Sequence, residues 1–453
     1  MSSFRPINRD TGFLLPPSVD EWLPQRHLAR FVVEVIDGLD LSELVKAYRG
    51  SGSAPYHPAV LLGLMVYGYA TKTFSSRAIE RATYDSVAFR FIAGNEHPDH
   101  DTIATFRKRF LSQIQALFVD VLRLARTMGM LKLGTVALDG TKVHANASRH
   151  SALSYGHAKK IEKQLKREVQ QLLRLAEAAD GVNTPDGMSI PEELERRELR
   201  LEAIAAAKAK IEVRAEERLE REQAEHRSKL AARAEHEKRT GKKPPGRPPE
   251  PPTGGVKDED QLNLTDEDSR IMRVAGGAFE QCYNAQAMVA TGSMLIVATE
   301  VTQAGNDKEQ LRPMIRKLQT LPQELGRAKR ILADNGYLSY SNVEQCIAAK
   351  IEPLIAAGRT PHRMSWKQRF AAAPKSPPNS ASALQRMAHR LKTPRGRKLY
   401  ALRKQTPEPV FGIIKSVMGY RQCLLRGLES VKGEWNLVSL SWNIKRMFAL
   451  QAA

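Results

Sequence analysis

Two aspartates, each at the end of a short apolar run and close to a glycine, are the residues of this sequence best suited to hold a cation. Asp139 and Gly140 follow such a run, rich in strand-forming residues, in the segment LGTVALDGTKVHANAS (133–148). Far downstream, RILADNGY (330–337) repeats the layout, with Asp334 after the run and Gly336 two residues later. Each pattern predicts a buried strand that ends at its aspartate. If both strands belong to one sheet, the two carboxylates can converge, with a glutamate as the third ligand.

Three carboxylates, without thiolates or a histidine cluster, favour Mg²⁺ or Mn²⁺ over zinc. A pair of such ions can activate a water or a 3′-hydroxyl and stabilise the leaving oxygen of a phosphodiester. We expect Asp139 to bridge the two ions, Asp334 to hold one of them and Glu408 to hold the other.

The third carboxylate is chosen among several glutamates. Glu408 is preferred because Lys415 follows it by seven residues, two turns along the same helical face, where an ammonium can reach a phosphate. Glu429 and Glu434 are the alternatives. An acidic residue in the first turn of a helix, as Glu408 is expected to be, is also favourable without any catalytic role.

The charge of the chain indicates a polyanionic partner. Its 453 residues include 70 Lys and Arg against 50 Asp and Glu, a formal charge of +20, which suits nucleic acid. Residues 356–405 hold thirteen Lys or Arg and no Asp or Glu, with Trp366, Phe370 and Tyr400 interleaved. Such a block repels itself unless a polyanion neutralises it, so we predict a DNA-clamping loop that orders on binding; the alternative is a disordered loop. Within it, Arg403 and Tyr400 would contact phosphates beside the metals.

The cysteines and the apolar stretches indicate in which cellular compartment the protein works. Cys282, Cys346 and Cys423 are scattered, with no spacing typical of a zinc site or a disulfide framework, which fits a reducing cytosol. The N-terminal segment is not expected to be a signal peptide, because its apolar run is short and broken by two prolines. No stretch approaches membrane-spanning length. We therefore expect a cytoplasmic protein and no membrane partner.

Residues 1–130 are expected to be helical. PAVLLGLMVYGY (58–69) is apolar nearly all round, which predicts a buried helix starting at a proline. Two further helices, one from Ser75 or Ser76 to Gly94 and one capped by Asp101 or Thr102, flank a short turn and are similar to a helix-turn-helix. The alternative is an ordinary helical bundle with a solvated basic face. If the two helices form a helix-turn-helix, the following side chains would face DNA: Thr102, Thr105, Arg107, Lys108 and Arg109.

The middle of the chain is predicted to be an inserted helical hairpin and a linker. Residues 158–179 and the helix that starts at Pro191 carry apolar residues at heptad spacing between many charges, on either side of a Pro/Gly turn at 181–187. This favours an antiparallel coiled-coil hairpin rather than a globular domain. The linker that follows contains KKPPGRP (242–248), a partial match to the minor-groove AT-hook centred on Arg247. A stiff spacer is the alternative.

The remainder alternates strands and helices, which predicts a layered α/β domain. Strands are expected at 279–290 and 294–301, joined as a hairpin, then at the Asp334 segment and at 351–356. Asn306 or Asp307 should cap a helix that runs to Leu321. Thr406 should cap the Glu408 helix, and 429–450 should form a last amphipathic helix with Trp435 and Trp442 one heptad apart.

Taken together, these segments resemble the DDE transposases of bacterial insertion sequences. The N-terminal stretch PYHPAVLLGLMVYGYATKTFSSRAIERA with PDHDTIATFRKRF resembles the DNA-binding region of that family, and ALDGTKVHANAS, YNAQAMVA and LADNGY resemble its core. EPVFGIIK and RGLESVKGEW resemble its C-terminal signature. The resemblance implies an RNase H-like core with a metal triad at Asp139, Asp334 and Glu408. Tyr400, Arg403, Glu408 and Lys415 match the family pattern Tyr-x2-Arg-x3-Glu-x6-Lys, except that four residues separate Arg403 from Glu408.

The predicted fold is α/β: an RNase H-like mixed sheet with flanking helices, an all-α N-terminal domain and an inserted antiparallel helical hairpin. The expected domains are a DNA-binding domain at 1–130, a catalytic domain at 131–150 and 269–453, the hairpin at 151–239 and the linker at 240–268. The predicted function is a transposase that cuts element ends and joins the 3′-hydroxyl to target DNA with two Mg²⁺ or Mn²⁺ ions. Its partners would be double-stranded DNA, at terminal inverted repeats and target, and at least one further copy of the chain. An inert DNA-binding regulator and a simple metal nuclease of the same fold are the alternatives.

Overall fold

The structure is a computed structural model that describes residues 18–48, 55–178, 190–241, 243, 246–358, 375–378 and 380–451. The chain forms two compact units, one made of residues 1–146 and 271–453 and the other of residues 147–270. The predicted boundary at residue 130, between a DNA-binding and a catalytic domain, falls inside the first unit. The functional division into domains stays a prediction.

The first unit opens with helices, as the sequence predicted. Its helices and those of the rest of the chain are α1 Val19–Trp22, α2 Leu28–Asp37, α3 Ser42–Lys46, α4 Pro58–Ala70, α5 Ser76–Asp85, α6 Val87–Ala93, α7 His100–Arg109, α8 Leu111–Thr127, α9 Tyr155–Ala178, α10 Ile190–Thr240, α11 Leu311–Gln319, α12 Tyr340–Ala348, α13 Ala383–Lys392, α14 Pro394–Ala401, α15 Pro407–Ser416 and α16 Leu428–Gln451. The prediction for α4 is confirmed: Pro58 lies at its start and the helix is buried on nearly all sides.

Two predicted helices are each divided in the structure. The helix expected to run to Gly94 breaks at Ser86, whose backbone is extended, and so forms α5 and α6. Ser75 caps α5 through its side chain, as one of the two predicted choices. The next expected helix breaks at Phe110, between α7 and α8. The N-cap of α7 is Asp99 rather than Asp101 or Thr102, because the Asp99 carboxylate accepts the Thr102 backbone N–H.

A mixed sheet lies at the centre of the first unit. The strands of the chain are β1 Thr135–His144, β2 Ala152–Ser154, β3 Gln261–Asn263, β4 Arg270–Arg273, β5 Phe279–Ala290, β6 Ile296–Thr302, β7 Arg330–Ala333 and β8 Glu352–Ile355. The main sheet has the order β4-β5-β1-β7-β8, with β6 also paired to β5. Strand β5 is antiparallel to both β6 and β1, whereas β7 and β8 run parallel to β1. The predicted β5–β6 hairpin is confirmed.

Strand β1 differs from the prediction that it ends at Asp139. It continues to His144, because β5 pairs with it antiparallel over almost its whole length and places Gly140 opposite Gln286. On its other side, the parallel ladder with β7 ends at the pair Ala137 and Leu332. Asp139 therefore lies inside β1 but just past the end of the β7 ladder, close to where β7 itself stops. The prediction for Asp334 is confirmed, since it follows the last residue of β7 directly.

Helix α16 packs into the middle of the first unit. The sequence predicted an amphipathic helix, but α16 is buried on most sides because it lies between the β5–β6 hairpin and helices α4 and α8. The indole N–H groups of Trp435 and Trp442 donate to the backbone carbonyls of Gln286 and Met294. These bonds satisfy the buried indoles and fix the helix to β5, the strand that borders β1, and to the turn between β5 and β6.

The second unit contains α9, α10 and the two-stranded ribbon of β2 and β3. Leu165, Ile204 and Ile211, three of the predicted heptad positions, are buried in one cluster. Ion pairs between Glu168 and Arg197 and between Glu162 and Lys208 add further links between the two helices. The predicted turn at 181–187 lies outside the described residues, and the coiled-coil hairpin stays a prediction. None of the described helices combines the length and the hydropathy needed to cross a bilayer.

Candidate functional site

The three predicted carboxylates of the first unit all reach one guanidinium. Arg403 Nη2 donates to Asp139 Oδ2 at 3.1 Å and lies 3.6 Å from Asp334 Oδ2. Arg403 Nη1 donates to Glu408 Oε1 at 3.2 Å. Asp334, Arg403 and Glu408 follow Asp139 by 195 residues or more in the chain, and the fold brings them to the same point. The structure places Asp139, Asp334, Glu408 and Arg403 together, as the sequence predicted, and leaves their chemical roles as a proposal.

Each carboxylate is held by a different element. Asp139 lies on β1, where one of its oxygens accepts the Gly140 backbone N–H. Asp334 caps the 3-10 turn 335–337 and accepts the Gly336 backbone N–H at 2.8 Å. Glu408 lies in the first turn of α15, whose N-terminus favours a negative charge.

The site is buried on the β1 side and open on the α15 side. The side chain of Asp139 is 15 % exposed and that of Arg403 is 11 % exposed, whereas that of Glu408 is 52 % exposed. Burial raises the pKa of Asp139 to about 6, and the nearby Asp334 and Asp307 carboxylates act in the same direction, while Arg403 opposes them. The ionised form of Asp139, the most buried of the three carboxylates, is therefore destabilised by its surroundings. A cation bound beside it would stabilise that ionised form.

The donor set fits a hard divalent cation, but the present arrangement is closed around Arg403. Three carboxylates supply the oxygen ligands that Mg²⁺ and Mn²⁺ prefer. In the described part of the chain, no three Asp, Glu, His or Cys side chains stand close enough together to hold a metal ion. The Arg403 guanidinium is the cation that the carboxylates share, and its Nε is buried without a hydrogen-bond partner. A metal ion could reach these ligands only if the guanidinium withdrew.

Tyr400 and Lys415, two predicted phosphate contacts, are both held near β1, the strand that carries Asp139. Tyr400 packs with other residues of α14 on Ala137 and Leu332, and burial raises the pKa of its hydroxyl. Lys415 Nζ donates to the backbone carbonyl of Lys142, three residues after Asp139 on β1. Burial lowers the pKa of both lysines, and the charge of Lys142 lowers the pKa of Lys415 further.

The two alternative glutamates lie elsewhere. Glu434 is fully buried; it accepts the Tyr69 hydroxyl and the backbone N–H groups of Leu424 and Leu425. Its surroundings are those of a structural group that joins α16 to α4. Glu429 is exposed and pairs with Lys432 at 2.9 Å. Neither contacts Arg403, so the geometry favours Glu408 as the third carboxylate.

The predicted DNA-contacting residues of α7 do not form one surface. Thr105, Lys108 and Arg109 are exposed, and Thr102 donates its hydroxyl to Asp99 at the start of the helix. Arg107 is only 8 % exposed, because its guanidinium packs inward and donates to the Tyr69 hydroxyl and the Phe74 carbonyl. Arg107 therefore drops out of the predicted DNA-contacting set. For the others the prediction stands as a proposal.

From Ala383 onward the basic segment is helical, and this corrects the prediction of a loop for its second half. Residues 359–374, which include Trp366 and Phe370, lie outside the described residues. Helix α13 begins with a capping box of Ser382 and Gln385, and apolar side chains from residues 387–402 pack onto the sheet or between the helices. The prediction of a loop rested on the number of positive charges and did not consider these apolar residues. In the linker, Arg247 is exposed and pairs with Glu250, while Lys242, Pro244 and Pro245 lie outside the described residues.

A further carboxylate, that of Asp307, lies near Asp139, although the sequence predicted a different role for it. Asp307 was expected to cap a helix, but α11 begins only at Leu311. The Asp307 carboxylate instead accepts hydrogen bonds from the side-chain amides of Asn284 and Gln286 on β5, each at 2.7 Å. Alternating polar residues on an otherwise apolar strand, Asn284 and Gln286, were the sign in the sequence that could have revealed this contact.

Comparison with known families gives two matches. A transposase domain (DUF772) matches residues 17–109, and a transposase DDE domain matches residues 367–448. The first match covers α1 to α7. The second covers α13 to α15 and most of α16, and so includes Arg403, Glu408 and Lys415. Neither the curated proteins nor the solved structures give a match.

Proposed function

We propose that the chain, a DDE transposase of the insertion-sequence type by its two domain matches, cuts the ends of its element and joins the freed 3′-hydroxyl to target DNA. The observation that carries this proposal is the meeting of Asp139, Asp334 and Glu408 on the Arg403 guanidinium. We further propose that the mixed sheet is an RNase H-like core. The antiparallel set β6-β5-β1, extended by the parallel strands β7 and β8, supports that view.

The proposed chemistry is two displacements at phosphorus. In the first, a water oxygen bonds to phosphorus while the bond to the 3′-oxygen breaks, which leaves a 3′-hydroxyl and a 5′-phosphate. In the second, that 3′-hydroxyl bonds to a target phosphorus and displaces the 3′-oxygen of the target strand. Mg²⁺ or Mn²⁺ held by Asp139, Asp334 and Glu408 would supply the activation of the attacking oxygen and the stabilisation of the leaving one.

The protein groups around the carboxylates would position the DNA. Arg403, once released from the carboxylates, presents a planar fork that suits a phosphate, and Lys415 presents a point charge beside it. Tyr400 is fixed by its packing and would border the same strand. Thr102, Thr105, Lys108 and Arg109 would bind the terminal inverted repeats, with Arg247 as a further contact. Joining two ends requires two active sites, so we propose at least a dimer on DNA, acting with the nucleoid.

The test compares DNA binding with strand cleavage. Asp139→Asn, Asp334→Asn and Glu408→Gln are each expected to bind DNA that carries the flanking inverted repeats as the wild type does, but to lose Mg²⁺-dependent nicking. Glu429→Gln removes an exposed glutamate of α16 outside the carboxylate group and is the matched control, expected to nick normally. Normal nicking by any of the three would remove that residue from the proposal. A strand-transfer assay separates a transposase from a nuclease, and a wild type that binds without nicking would indicate an inert regulator.

A further inference from the structure

The amide of Gln286 links the segments that carry Asp139 and Asp334. Gln286 lies on β5 directly opposite Gly140, the residue after Asp139. Its Oε1 accepts a hydrogen bond from the hydroxyl of Tyr337, which ends the 3-10 turn that Asp334 caps. One side chain thus contacts both the β1 segment of the first aspartate and the turn of the second.

The other end of the same amide is held equally firmly. Gln286 Nε2 donates to Asp307 Oδ1 at 2.7 Å and to Asn284 Oδ1 at 3.0 Å. Gln286 and Asn284 are both fully buried. A buried amide with all its partners made, one of them charged, has a single orientation, because any rotation would leave polar atoms without partners.

The glycine after Asp139 is explained by this amide. A Cβ built on Gly140 would lie 2.2 Å from Gln286 Nε2 and 2.8 Å from Asp307 Oδ1. The amide and the carboxylate therefore pack directly against the backbone that follows Asp139. The sequence predicted Gly140 at the end of a strand, but its φ is not positive and the strand continues, so close approach is the reason for the glycine.

The Asp334 turn and the Asp307 loop are also joined to each other. Asn342 Nδ2 on α12 donates to the carbonyls of Tyr337 and Lys308, each at 2.7 Å. The Asn342 amide therefore hydrogen-bonds both to the loop that carries Asp307 and to the turn that Asp334 caps.

We propose that Gln286, held by Asp307 and Tyr337, is a positioning residue that sets the separation of the Asp139 and Asp334 carboxylates for metal binding. This inference rests on the proposed function, since it assumes that those carboxylates take a divalent cation. Groups that orient ligands through hydrogen bonds typically change metal affinity by about 10–100-fold when removed. Gln286 bonds to neither carboxylate directly but to Tyr337 and Asp307, so its removal is expected to give an effect at the lower end of that range, without Gln286 touching metal or DNA.

The experiment measures Mn²⁺ binding to the full chain by electron paramagnetic resonance, with and without DNA, beside the Mg²⁺ concentration that gives half-maximal nicking. Tyr337→Phe and Gln286→Leu should each weaken Mn²⁺ binding roughly tenfold and raise the Mg²⁺ requirement by a similar factor. Tyr69→Phe is the matched control. It also deletes a buried hydroxyl that donates to a side-chain oxygen, that of Glu434, and it should lower thermal stability without changing either metal measurement.

A reversed pair tests the hydrogen bond itself. Gln286→Glu alone sets a carboxylate against Asp307 and should weaken Mn²⁺ binding at least as much as Gln286→Leu. Combined with Asp307→Asn, it restores the hydrogen bond between residues 286 and 307 with donor and acceptor exchanged, although Asn284 Oδ1 still lacks its donor from residue 286. Mn²⁺ binding should therefore return part of the way toward the wild-type value.

The outcomes separate this inference from the proposed function. If wild-type protein neither binds Mn²⁺ nor nicks DNA, both are overturned. If the wild type does both, and Tyr337→Phe matches Tyr69→Phe in all measurements, the positioning role alone is overturned. A double variant that binds Mn²⁺ no better than Gln286→Glu alone would show that the hydrogen bond between residues 286 and 307 does not set metal binding, which also overturns the role given to Gln286.

Discussion

Replacing Asp139 by Asn should make the metal-free protein more stable at neutral pH while removing its proposed activity. Burial raises the pKa of Asp139 to about 6, from an ordinary value of 3.8. At about 1.36 kcal/mol for each pH unit, keeping this carboxylate ionised at pH 7 costs about 3 kcal/mol. Asn has nearly the same shape and is neutral at every pH. Because its amide NH₂ cannot accept a hydrogen bond as the lost oxygen did, the net gain expected is about 1–3 kcal/mol.

The pH dependence follows from the direction of that pKa change. Between about pH 3.8 and 6 the folded protein holds a proton on Asp139 that the unfolded chain has already released. The stability of the wild type due to this group is therefore full below that window and lost as the pH rises through it. The neutral amide of the Asp139→Asn variant has no such dependence, so the variant should gain little at pH 4 and should reach its full advantage near pH 7.

Tryptophan fluorescence during urea unfolding in EDTA is the assay, because the chain's four tryptophans all fall outside residues 147–270 and so report on the first unit alone. Exposed Asp37→Asn is the control, expected to stay within about 0.5 kcal/mol of the wild type. Adding Mg²⁺ should stabilise the wild type and not Asp139→Asn, as mass action requires. A variant less stable than the wild type at pH 7, or one with the same gain at pH 4, would refute the reasoning.

Three other outcomes are expected. Gly140→Ala should lose about 1–3 kcal/mol of unfolding free energy, because its Cβ would meet a buried amide at 2.2 Å, whereas Gly412→Ala, with open space around its Cβ on α15, should be neutral or slightly stabilising. Glu434→Ala should lose about 3 kcal/mol or more in the same urea assay, because it leaves a cavity and buried N–H and O–H groups without acceptors; equal stability would contradict its structural role. The native thiols of Cys282 and Cys346 should resist a disulfide reagent at pH 8 and react after unfolding, since burial raises their pKa values to about 11 and about 12; fast native labelling of either would contradict this.

Local pattern was sufficient where one segment decides its own structure. The Asp334 turn was predictable because a short apolar run followed by Asp-Asn-Gly leaves few alternatives to a strand and a tight turn. The extension of β1 past Asp139 was not, because the partner that prolongs it is β5, more than a hundred residues away. The burial of Arg107 likewise depends on the hydroxyl of Tyr69 from another helix. Neither the β1–β5 pairing nor the Arg107–Tyr69 contact has a sign in the sequence next to it.

The basic segment shows a different limit. Its many positive charges suggested a chain unable to fold without DNA, yet residues spaced as Met387, Leu391 and Leu399 supply an apolar face for two helices. Burial of a few such side chains outweighs repulsion among exposed charges that water screens. Pairing with acidic neighbours, as between Arg390 and Glu352, reduces that repulsion further.

If the three carboxylates take a divalent ion as proposed, the bridge that Arg403 makes among them turns metal loading into an exchange of one cation for another. Any divalent ion that enters must displace the internal counter-ion, so its apparent affinity is lower than the ligands alone would give. If the ion frees the guanidinium and so strengthens the binding of a second ligand to it, thermodynamic reciprocity requires that this ligand strengthens ion binding by the same factor. A DNA phosphate has the charge and shape to bind the guanidinium. The chain would therefore bind its catalytic metal tightly only when DNA is also bound.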